Sequence, residues 1–271
     1  MTAAMRRILA TLLLGASLAT LGACETPHEK LAAAVAAPER SAALRTRDAF
    51  RQPEASLAFL GVRDTMTVVE IYPGGGYWTE ILAPYLRTNG SYIAAVFVPT
   101  SDEGRAFRKT YEAKLAADPQ RFGRARIVDF AADGTDVVPP GTADMVVTFR
   151  NLHNWMARGT EEAVLRSFFR ALKPGGVLGI SDHRARTDQP VDPKAKTGYV
   201  NEAYAIQLAE RVGFRFVARS EAKSNPKDTK DHPQGVWTLP PTLRLKDQDR
   251  AKYEAIGESD RFLLKFVKPA N

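Results

Sequence analysis

The sequence predicts an α/β protein with a doubly wound, mostly parallel sheet of seven strands. Short apolar segments alternate with amphipathic helical segments over most of the chain, which favours a parallel sheet covered by helices on both faces. The first predicted strand runs directly into Pro73 and the glycines Gly74, Gly75 and Gly76, and a helix is predicted from Thr79. A strand, a glycine-rich turn and a helix in this order build a ligand-binding edge in open α/β sheets.

The strands are predicted from nearly continuous apolar runs, which are typical of strands that are buried on both faces. They cover 67–72, 91–98, 125–130, 143–149, 177–182, 214–220 and 261–268. Helices are predicted between them over 79–86, 102–117, 159–172 and 201–212, and a helical region interrupted at Pro53 is predicted over 45–60. The polar segment 221–260 is a long insertion, which we expect to cover the ligand crevice.

The first 23 residues have the pattern of an export signal. Two arginines precede the apolar stretch 8–21, which is short for a membrane span. Leu21, Gly22 and Ala23 lead into Cys24, and this segment resembles the lipobox of bacterial lipoproteins. We therefore expect a lipid anchor at Cys24 and a periplasmic, membrane-attached protein; an ordinary secretory signal with an incidental cysteine is the alternative. Cys24 is the only cysteine of the chain, so it has no disulfide partner within the chain.

The remaining chain is predicted to be a tether followed by one domain. Residues 24–41 are rich in Ala, Pro and Glu and show no sustained apolar periodicity. Residues 42–271 are long enough to form a single domain with its own core.

The net charge of +7 arises from 38 Lys and Arg against 31 Asp and Glu. There is no run of five or six basic residues, which favours a solvated basic surface over a nucleic-acid site. Contact with anionic lipid or with an acidic substrate stays open. No sequence feature indicates an obligate protein partner.

Polar residues follow the fourth and fifth predicted strands. Asn151, His153 and Trp155 come after 143–149, and Asp182, His183 and Arg184 end or follow 177–182. Because the carboxyl ends of parallel strands meet at one edge of the sheet, we expect these side chains to converge near the crevice. Their spacing does not match a metal-binding motif, so no metal is predicted.

Three segments in this order carry a family resemblance. They are Glu70-Ile-Tyr-Pro-Gly-Gly-Gly76, the strand 143–149 followed by Asn151-Leu-His-Asn-Trp155, and Leu172-Lys-Pro-Gly-Gly-Val177. Together they resemble class I S-adenosylmethionine-dependent methyltransferases over about 45–269 of the chain, and more narrowly a group of predicted bacterial methyltransferases with export signals. The resemblance implies a Rossmann-like fold with a reversed final strand. It also implies S-adenosylmethionine as cofactor and methyl transfer to a small-molecule acceptor.

The resemblance also implies roles for individual residues. The cofactor would contact Glu70, Tyr72, Gly74, Gly75, Gly76, Asp129 and Asn151. His153 and His183 are the candidate general bases, and Trp155, Asp182 and Arg184 are the candidate substrate-binding residues.

The chain departs from the family pattern at two positions. Tyr72 stands where the family usually has a glycine, and the second predicted strand is not followed by the acid that usually binds both ribose hydroxyls. The nearest acids there are Asp102 and Glu103. Two other functions therefore stay open: a non-catalytic binding protein that retains the fold, and an enzyme that uses the crevice for a different nucleoside-like ligand.

Overall fold

The computed structural model describes residues 26–270, which form alternating strands and helices. The strands are β1 (Thr67–Ile71), β2 (Ser91–Phe97), β3 (Arg126–Phe130), β4 (Ala143–Phe149), β5 (Leu172–His183), β6 (Arg215–Ser220) and β7 (Arg261–Val267). The helices are α1 (Pro27–Ala36), α2 (Ala42–Arg45), α3 (Asp48–Arg51), α4 (Pro53–Leu60), α5 (Thr79–Leu86), α6 (Asp102–Ala116), α7 (Pro119–Phe122), α8 (Leu152–Arg158), α9 (Glu161–Ala171), α10 (Glu202–Val212) and α11 (Arg250–Ile256), with a 3₁₀ helix at Gly235–Thr238.

All seven strands belong to one sheet with the order β3-β2-β1-β4-β5-β7-β6. β1 pairs in parallel with both β2 and β4, whereas β7 lies antiparallel between β5 and β6. The strand order reverses between β1 and β4, so the connections on either side of this point leave a crevice at the carboxyl ends of the strands. The predicted doubly wound, mostly parallel sheet of seven strands with a reversed final strand is confirmed.

The sheet separates two hydrophobic clusters because successive side chains of a strand point to opposite faces. Val69 and Ile71 pack on one face with residues of α8, α9 and α10, and Val68 packs on the other with residues of α1, α4 and α5. The second face is very closely packed at Gly179 in β5. A Cβ added there would lie 2.7 Å from Leu60 Cδ1, so a larger residue would displace the Leu60 side chain between α4 and β5.

The predicted elements agree with the observed ones except near two boundaries. β5 begins at Leu172, five residues before the predicted strand, because Leu172 pairs with Ala143 before an irregularity in the β4–β5 ladder. The helical region over 45–60 is divided into α3 and α4 at Gln52, which has a left-handed backbone with φ 44°. Pro53 then takes the first position of α4, where proline needs no backbone donor.

The segment predicted as a tether, 24–41, differs from that prediction in its described part. Residues Pro27–Ala36 form α1, which starts with a capping box between Thr26 and Glu29. Leu31 is 2% exposed, and Lys30 forms an ion pair with Asp64 at 2.7 Å. The side of α1 that packs on the domain is short and consists of Leu31, Ala34 and Val35, which explains why the periodicity of the sequence did not predict a packed helix.

The predicted signal peptide, 1–23, and the lipidation site Cys24 lie outside the described residues. Among the residues that the structure describes, no helix combines the length and the apolar character needed to cross a membrane.

Candidate functional site

The glycine-rich turn after β1 has a left-handed backbone at three alternate positions. Tyr72, Gly74 and Gly76 have φ values of 48°, 60° and 83°. Tyr72 therefore adopts a backbone conformation that favours glycine, at a strain cost of roughly 1 kcal/mol. Its backbone N–H donates to the Ala95 carbonyl at 2.8 Å, and its ring lies 6.2 Å from that of Phe97. This hydrogen bond and this ring contact hold Tyr72 in its place at the start of the turn.

Helix α5 begins directly after this turn, at Thr79 as predicted. The N-cap residue is Trp78, and no side chain caps the helix. The Thr79 hydroxyl is instead buried with the hydroxyls of Tyr92 and Tyr111, at 2.8 and 3.1 Å, and donates to Glu70 Oε2 at 3.3 Å. Thr79 therefore helps to position the acid at the end of β1.

Glu70 is 1% exposed and accepts a hydrogen bond from the Tyr92 hydroxyl at 2.6 Å. Burial raises the pKa of Glu70 to about 7, and the hydrogen bonds from Tyr92 and Thr79 oppose this shift. The carboxyl group contacts these side-chain hydroxyls. It lines the cavity beneath the glycine turn.

The raised pKa predicts a pH-dependent effect of Glu70→Gln. The folded protein holds a proton on Glu70 that the unfolded chain loses above its ordinary pKa of 4.5, so ionisation of this group lowers stability as the pH rises from 4.5 through 7. Relative to wild type, the free energy of unfolding of Glu70→Gln is expected to rise by about 3 kcal/mol between pH 4 and pH 8. Urea denaturation at both pH values measures the difference. The exposed Glu103→Gln is the control, and an equal response of the two variants would contradict the assignment.

Two cavities meet at the carboxyl edge of the strands. We name the first the glycine cavity; it lies beneath the turn and is lined by Glu70, Tyr72, Pro73, Gly74, Gly75, Tyr77, Trp78, Leu44, Arg47, Arg51, Phe149, Arg150, Asn151 and Asn154. The second, the aromatic cavity, is lined by Tyr72, Phe97, Phe130, Asn151, Asn154, Trp155 and Arg158. The two cavities share Tyr72, Asn151 and Asn154, so a ligand that occupied both would pass the tyrosine.

Asn151 and Trp155 form walls of these cavities. The Asn151 amide donates to the Ile71 carbonyl and to Thr148 Oγ1, both at 3.0 Å, and thereby connects the ends of β1 and β4. The Trp155 ring is 4% exposed and packs against Phe130. Its predicted contact with a substrate is therefore limited to the edge that faces the aromatic cavity.

The acids near β2 and β3 do not line the aromatic cavity. Asp129 points to the face of β3 opposite to Phe130, its side chain is 67% exposed, and it forms an ion pair with Arg108 at 2.6 Å. Asp102 is 96% exposed and pairs with Arg105 on the outside of α6. Asp129, which is predicted to contact the cofactor, therefore lies away from the aromatic cavity, and no carboxylate in residues 26–270 lines this cavity.

His153, Asp182 and His183 come together as predicted, but away from both cavities. Asp182 accepts hydrogen bonds from His153 Nδ1 at 2.9 Å and from the backbone N–H groups of His153 and His183 at 3.1 and 2.8 Å. His183 Nδ1 bonds to Ser259, and the Trp237 ring lies 6.1 Å from that of His153. Burial and the neighbouring His153 lower the pKa of His183 well below its ordinary value. The insertion thus covers the two histidines. Neither of these candidate general bases lines the glycine cavity or the aromatic cavity.

The three residues also satisfy a geometric condition that their sequence spacing did not predict. Candidate metal-ligating atoms of His153, Asp182 and His183 lie within 4.8 Å of one another. Both carboxylate oxygens of Asp182 already accept hydrogen bonds from His153 or His183. This cluster therefore joins α8 to the end of β5 through its own hydrogen bonds.

Arg184 does not reach the cavities. Its guanidinium group forms ion pairs with Glu202, Glu221 and Asp260 at 3.3, 2.7 and 4.0 Å. The guanidinium group of Arg184, a candidate substrate-binding residue, is thus paired with acids of the chain itself.

The sequence interpretation missed five cationic residues beside the glycine cavity. We call them the basic cluster: Arg47, Arg51, Arg150, Lys223 and Arg261. Two signals could have found part of it. Arg150 follows β4 directly, and Arg261 begins the antiparallel β7 at the edge where the parallel strands end.

The strand order and the reversed β7 are those of the class I methyltransferase fold. No family model matches the sequence, and no curated protein matches it.

Among solved structures, a methyltransferase from Aquifex aeolicus that depends on S-adenosylmethionine is similar with a TM-score of 0.55 and 16% identity, over 82% of this chain and 93% of that chain. The arsenic(III) S-adenosylmethionine methyltransferase CrArsM from Chlamydomonas reinhardtii has a TM-score of 0.53 and 15% identity, over 89% of this chain and 73% of that chain. The [4+2]-cyclase SpnF has a TM-score of 0.57 and 14% identity, over 82% and 81% of the two chains. At these identities the similarity shows the fold.

Proposed function

We propose that the protein is an S-adenosylmethionine-dependent methyltransferase that acts on a small molecule. The observation that carries this proposal is the pair of cavities that meet at Tyr72, one under the glycine turn and one lined by aromatic rings. They lie at the reversal of strand order, where open α/β sheets bind their ligands.

The two cavities match the two halves of the cofactor. The amino-acid part would lie over Gly74 and Gly75, where an added Cβ meets no atom within 4 Å, so the backbone is open to a ligand. The adenine ring would lie in the aromatic cavity against Phe97 and Phe130. Tyr72, between the two, presents an aromatic ring on the path of the sulfonium, and such a ring attracts cations.

The cofactor supplies the electrophilic methyl group, and this chain supplies position. Asn151 holds the ends of β1 and β4 at a fixed separation, and Glu70 holds the turn through Thr79. Correct placement of two reactants accounts for a large part of the rate of a bimolecular displacement.

The missing ribose acid supports a second candidate function. Without that carboxylate the ribose loses two hydrogen bonds to a charged group, which favours a protein that uses the fold for another ligand or another reaction. SpnF, whose fold is similar, is described as a [4+2]-cyclase. The order of motifs and the two cavities favour the methyltransferase.

We also propose a periplasmic location for the protein, and this part of the proposal rests on the sequence. Residues 1–23 would direct export, and a lipid at Cys24 would attach the mature protein to a membrane facing the periplasm.

Calorimetric titration with S-adenosylmethionine and S-adenosylhomocysteine tests the proposed function. We expect dissociation constants on the order of 10 μM, because the fold and the glycine turn are retained while the ribose acid is absent. Adenosine and methionine, titrated separately, are the controls for the two halves of the ligand. Absence of heat with both cofactor forms at millimolar concentration would contradict the methyltransferase and favour the second candidate.

A further inference from the structure

The basic cluster borders the glycine cavity. Arg47, Arg51 and Arg150 line this cavity, and Arg51, Arg150, Lys223 and Arg261 line a small space of about 10 Å³ next to it. That space has room for about one water molecule. A larger ligand must therefore contact the cluster from the glycine cavity.

Several nitrogens of the cluster lack hydrogen-bond acceptors. Within residues 26–270, Arg51 Nε and Nη2, Arg47 Nη2 and Arg261 Nε are buried without a hydrogen-bond partner. The Arg51 side chain is only 7% exposed. Because a buried donor without a partner costs free energy, this arrangement fits a ligand that brings acceptor oxygens.

The cluster has more positive charge than its surroundings compensate. Glu258 is the carboxylate that pairs with it in the described chain, with Arg47, Arg51 and Arg261 as partners. Even when Glu70 and Asp182 are counted as charged, five cations face three carboxylates. Like charges in a buried site repel one another strongly.

The pKa values of three cations in the cluster are lowered, in part by repulsion from the other cations. Burial, followed by the charge of Arg150, lowers the pKa of Arg51, and burial, followed by the charge of Arg261, lowers the pKa of Arg150. Burial and Arg261 also lower the pKa of Lys223 well below its ordinary value. Each shift means that the charged form is disfavoured unless an anion is bound.

Lys223 is held at a fixed place in this cluster. Its ammonium nitrogen lies 4.8 Å from the Trp78 ring centre and 4.5 Å from the Phe149 ring centre, and these two rings are stacked at 4.1 Å. The same rings line the glycine cavity. The two rings thus form an aromatic wall of the glycine cavity, and Lys223 lies against them in the small adjoining space.

S-adenosylmethionine by itself would not neutralise the cluster. It has one carboxylate but also an ammonium and a sulfonium group, so it adds a net positive charge. This step rests on the proposed function. A second anion in the crevice would compensate both the cluster and the sulfonium.

We infer that the methyl acceptor is a small oxyanion, a carboxylate or phosphate compound, whose anionic group binds between Arg51 and Arg150. Lys223 and Arg261 stand behind these two residues and strengthen the field. Guanidinium groups suit such a ligand because their planar donors match the geometry of carboxylate and phosphate oxygens. Binding of the anion and of S-adenosylmethionine is then cooperative.

The test uses inorganic phosphate as the probe. Phosphate is titrated calorimetrically into protein saturated with S-adenosylhomocysteine, at an ionic strength held constant with chloride. We expect binding that Arg150→Gln weakens about tenfold or more, because one charge-assisted contact is lost. Arg166→Gln, the same change at an exposed residue of α9, is the matched control and should leave phosphate binding unchanged. Saturating phosphate should tighten the binding of S-adenosylmethionine more than that of S-adenosylhomocysteine, which has no sulfonium charge.

Thermal melting with and without phosphate shows whether Arg150→Gln is still folded and whether it still responds to phosphate. Without phosphate, Arg150→Gln should melt at or above the wild-type temperature, because it removes repulsion, and phosphate should raise its melting temperature less than it raises that of wild type. If S-adenosylhomocysteine binds but phosphate does not bind to the saturated protein, or if Arg150→Gln and Arg166→Gln behave alike, the inference is wrong and the proposed function stands. If phosphate binds while neither cofactor form does, the anion site stands and the proposed function fails.

Discussion

Gly75→Val is expected to weaken cofactor binding by roughly 100-fold while the domain stays folded. An added Cβ at Gly75 meets no protein atom within 4 Å, and the residue lines the glycine cavity. The valine methyl groups would therefore occupy the space over which the cofactor has to lie. An overlap that costs about 3 kcal/mol lowers affinity by roughly 100-fold. Calorimetric titration with S-adenosylhomocysteine measures the loss.

The fold should tolerate this change because it involves no backbone contact. The Gly75 carbonyl accepts a hydrogen bond from Lys114 Nζ at 3.1 Å, and a new side chain does not remove that oxygen. We expect the melting temperature without ligand to change by less than about 3 °C. Ala251→Val, on the exposed side of α11, controls for added volume. Unchanged affinity of Gly75→Val would show that the cofactor does not pass over this residue.

Glu258→Gln is expected to destabilise the protein by about 3 to 5 kcal/mol. The carboxylate accepts hydrogen bonds from Arg47 and Arg261 and lies 3.7 Å from Arg51 Nε, and its side chain is 3% exposed. Removal of one partner from a buried ion pair leaves the remaining charges without compensation. Urea denaturation at pH 7 measures the loss. Glu254→Gln, which breaks an exposed pair with Arg250 on α11, is the matched control and should cost less than about 0.5 kcal/mol.

The pH dependence of Glu258 gives a second measurement. Burial raises its pKa, but Arg261 and Arg47 lower it more, so that the net pKa is about 2 against an ordinary 4.5. The ion pairs therefore stabilise the fold fully above pH 4.5, and this contribution is lost as the pH falls through 2. The difference between wild type and Glu258→Gln should shrink by about half between pH 7 and pH 3. A difference that is independent of pH would mean that the variant acts through packing instead of charge.

The excess of positive charge in the basic cluster also predicts how phosphate affects the stability of Glu258→Gln. Since Glu258→Gln enlarges the uncompensated charge of the basic cluster, phosphate should stabilise this variant more than it stabilises wild type. Chloride at the same ionic strength should not reproduce the effect, because screening does not fill the unpartnered nitrogens of Arg51.

The sequence by itself was sufficient for the architecture. Each of the seven strands is an apolar run that can be recognised from neighbouring residues alone. The glycines after β1 likewise predict a tight turn without knowledge of the tertiary structure. The order of strand and helix segments then implied the doubly wound sheet, and the predicted strand bounds differ from the observed ones by more than one residue only at β5. The resemblance in three motifs led to the same fold.

The composition of the site was decided by the tertiary structure. Arg51 and Lys223 are far apart in the chain and have ordinary sequence surroundings, yet they line one space. His153 and His183 follow adjacent strands as expected, but the insertion that carries Trp237 and Ser259 covers them. Successive side chains of β3 point to opposite faces of the sheet, so Asp129 points to solvent while its neighbour Phe130 lines the aromatic cavity.

The physical reason for this division is the range over which each preference acts. Strand and helix propensity, turn geometry and apolar period depend on neighbours within a few residues, so the sequence determines them directly. The charge balance of a buried site depends on which side chains meet across β4, β5, β7 and α3. That balance, and with it the inference of an anionic acceptor, follows only from the three-dimensional arrangement of the chain.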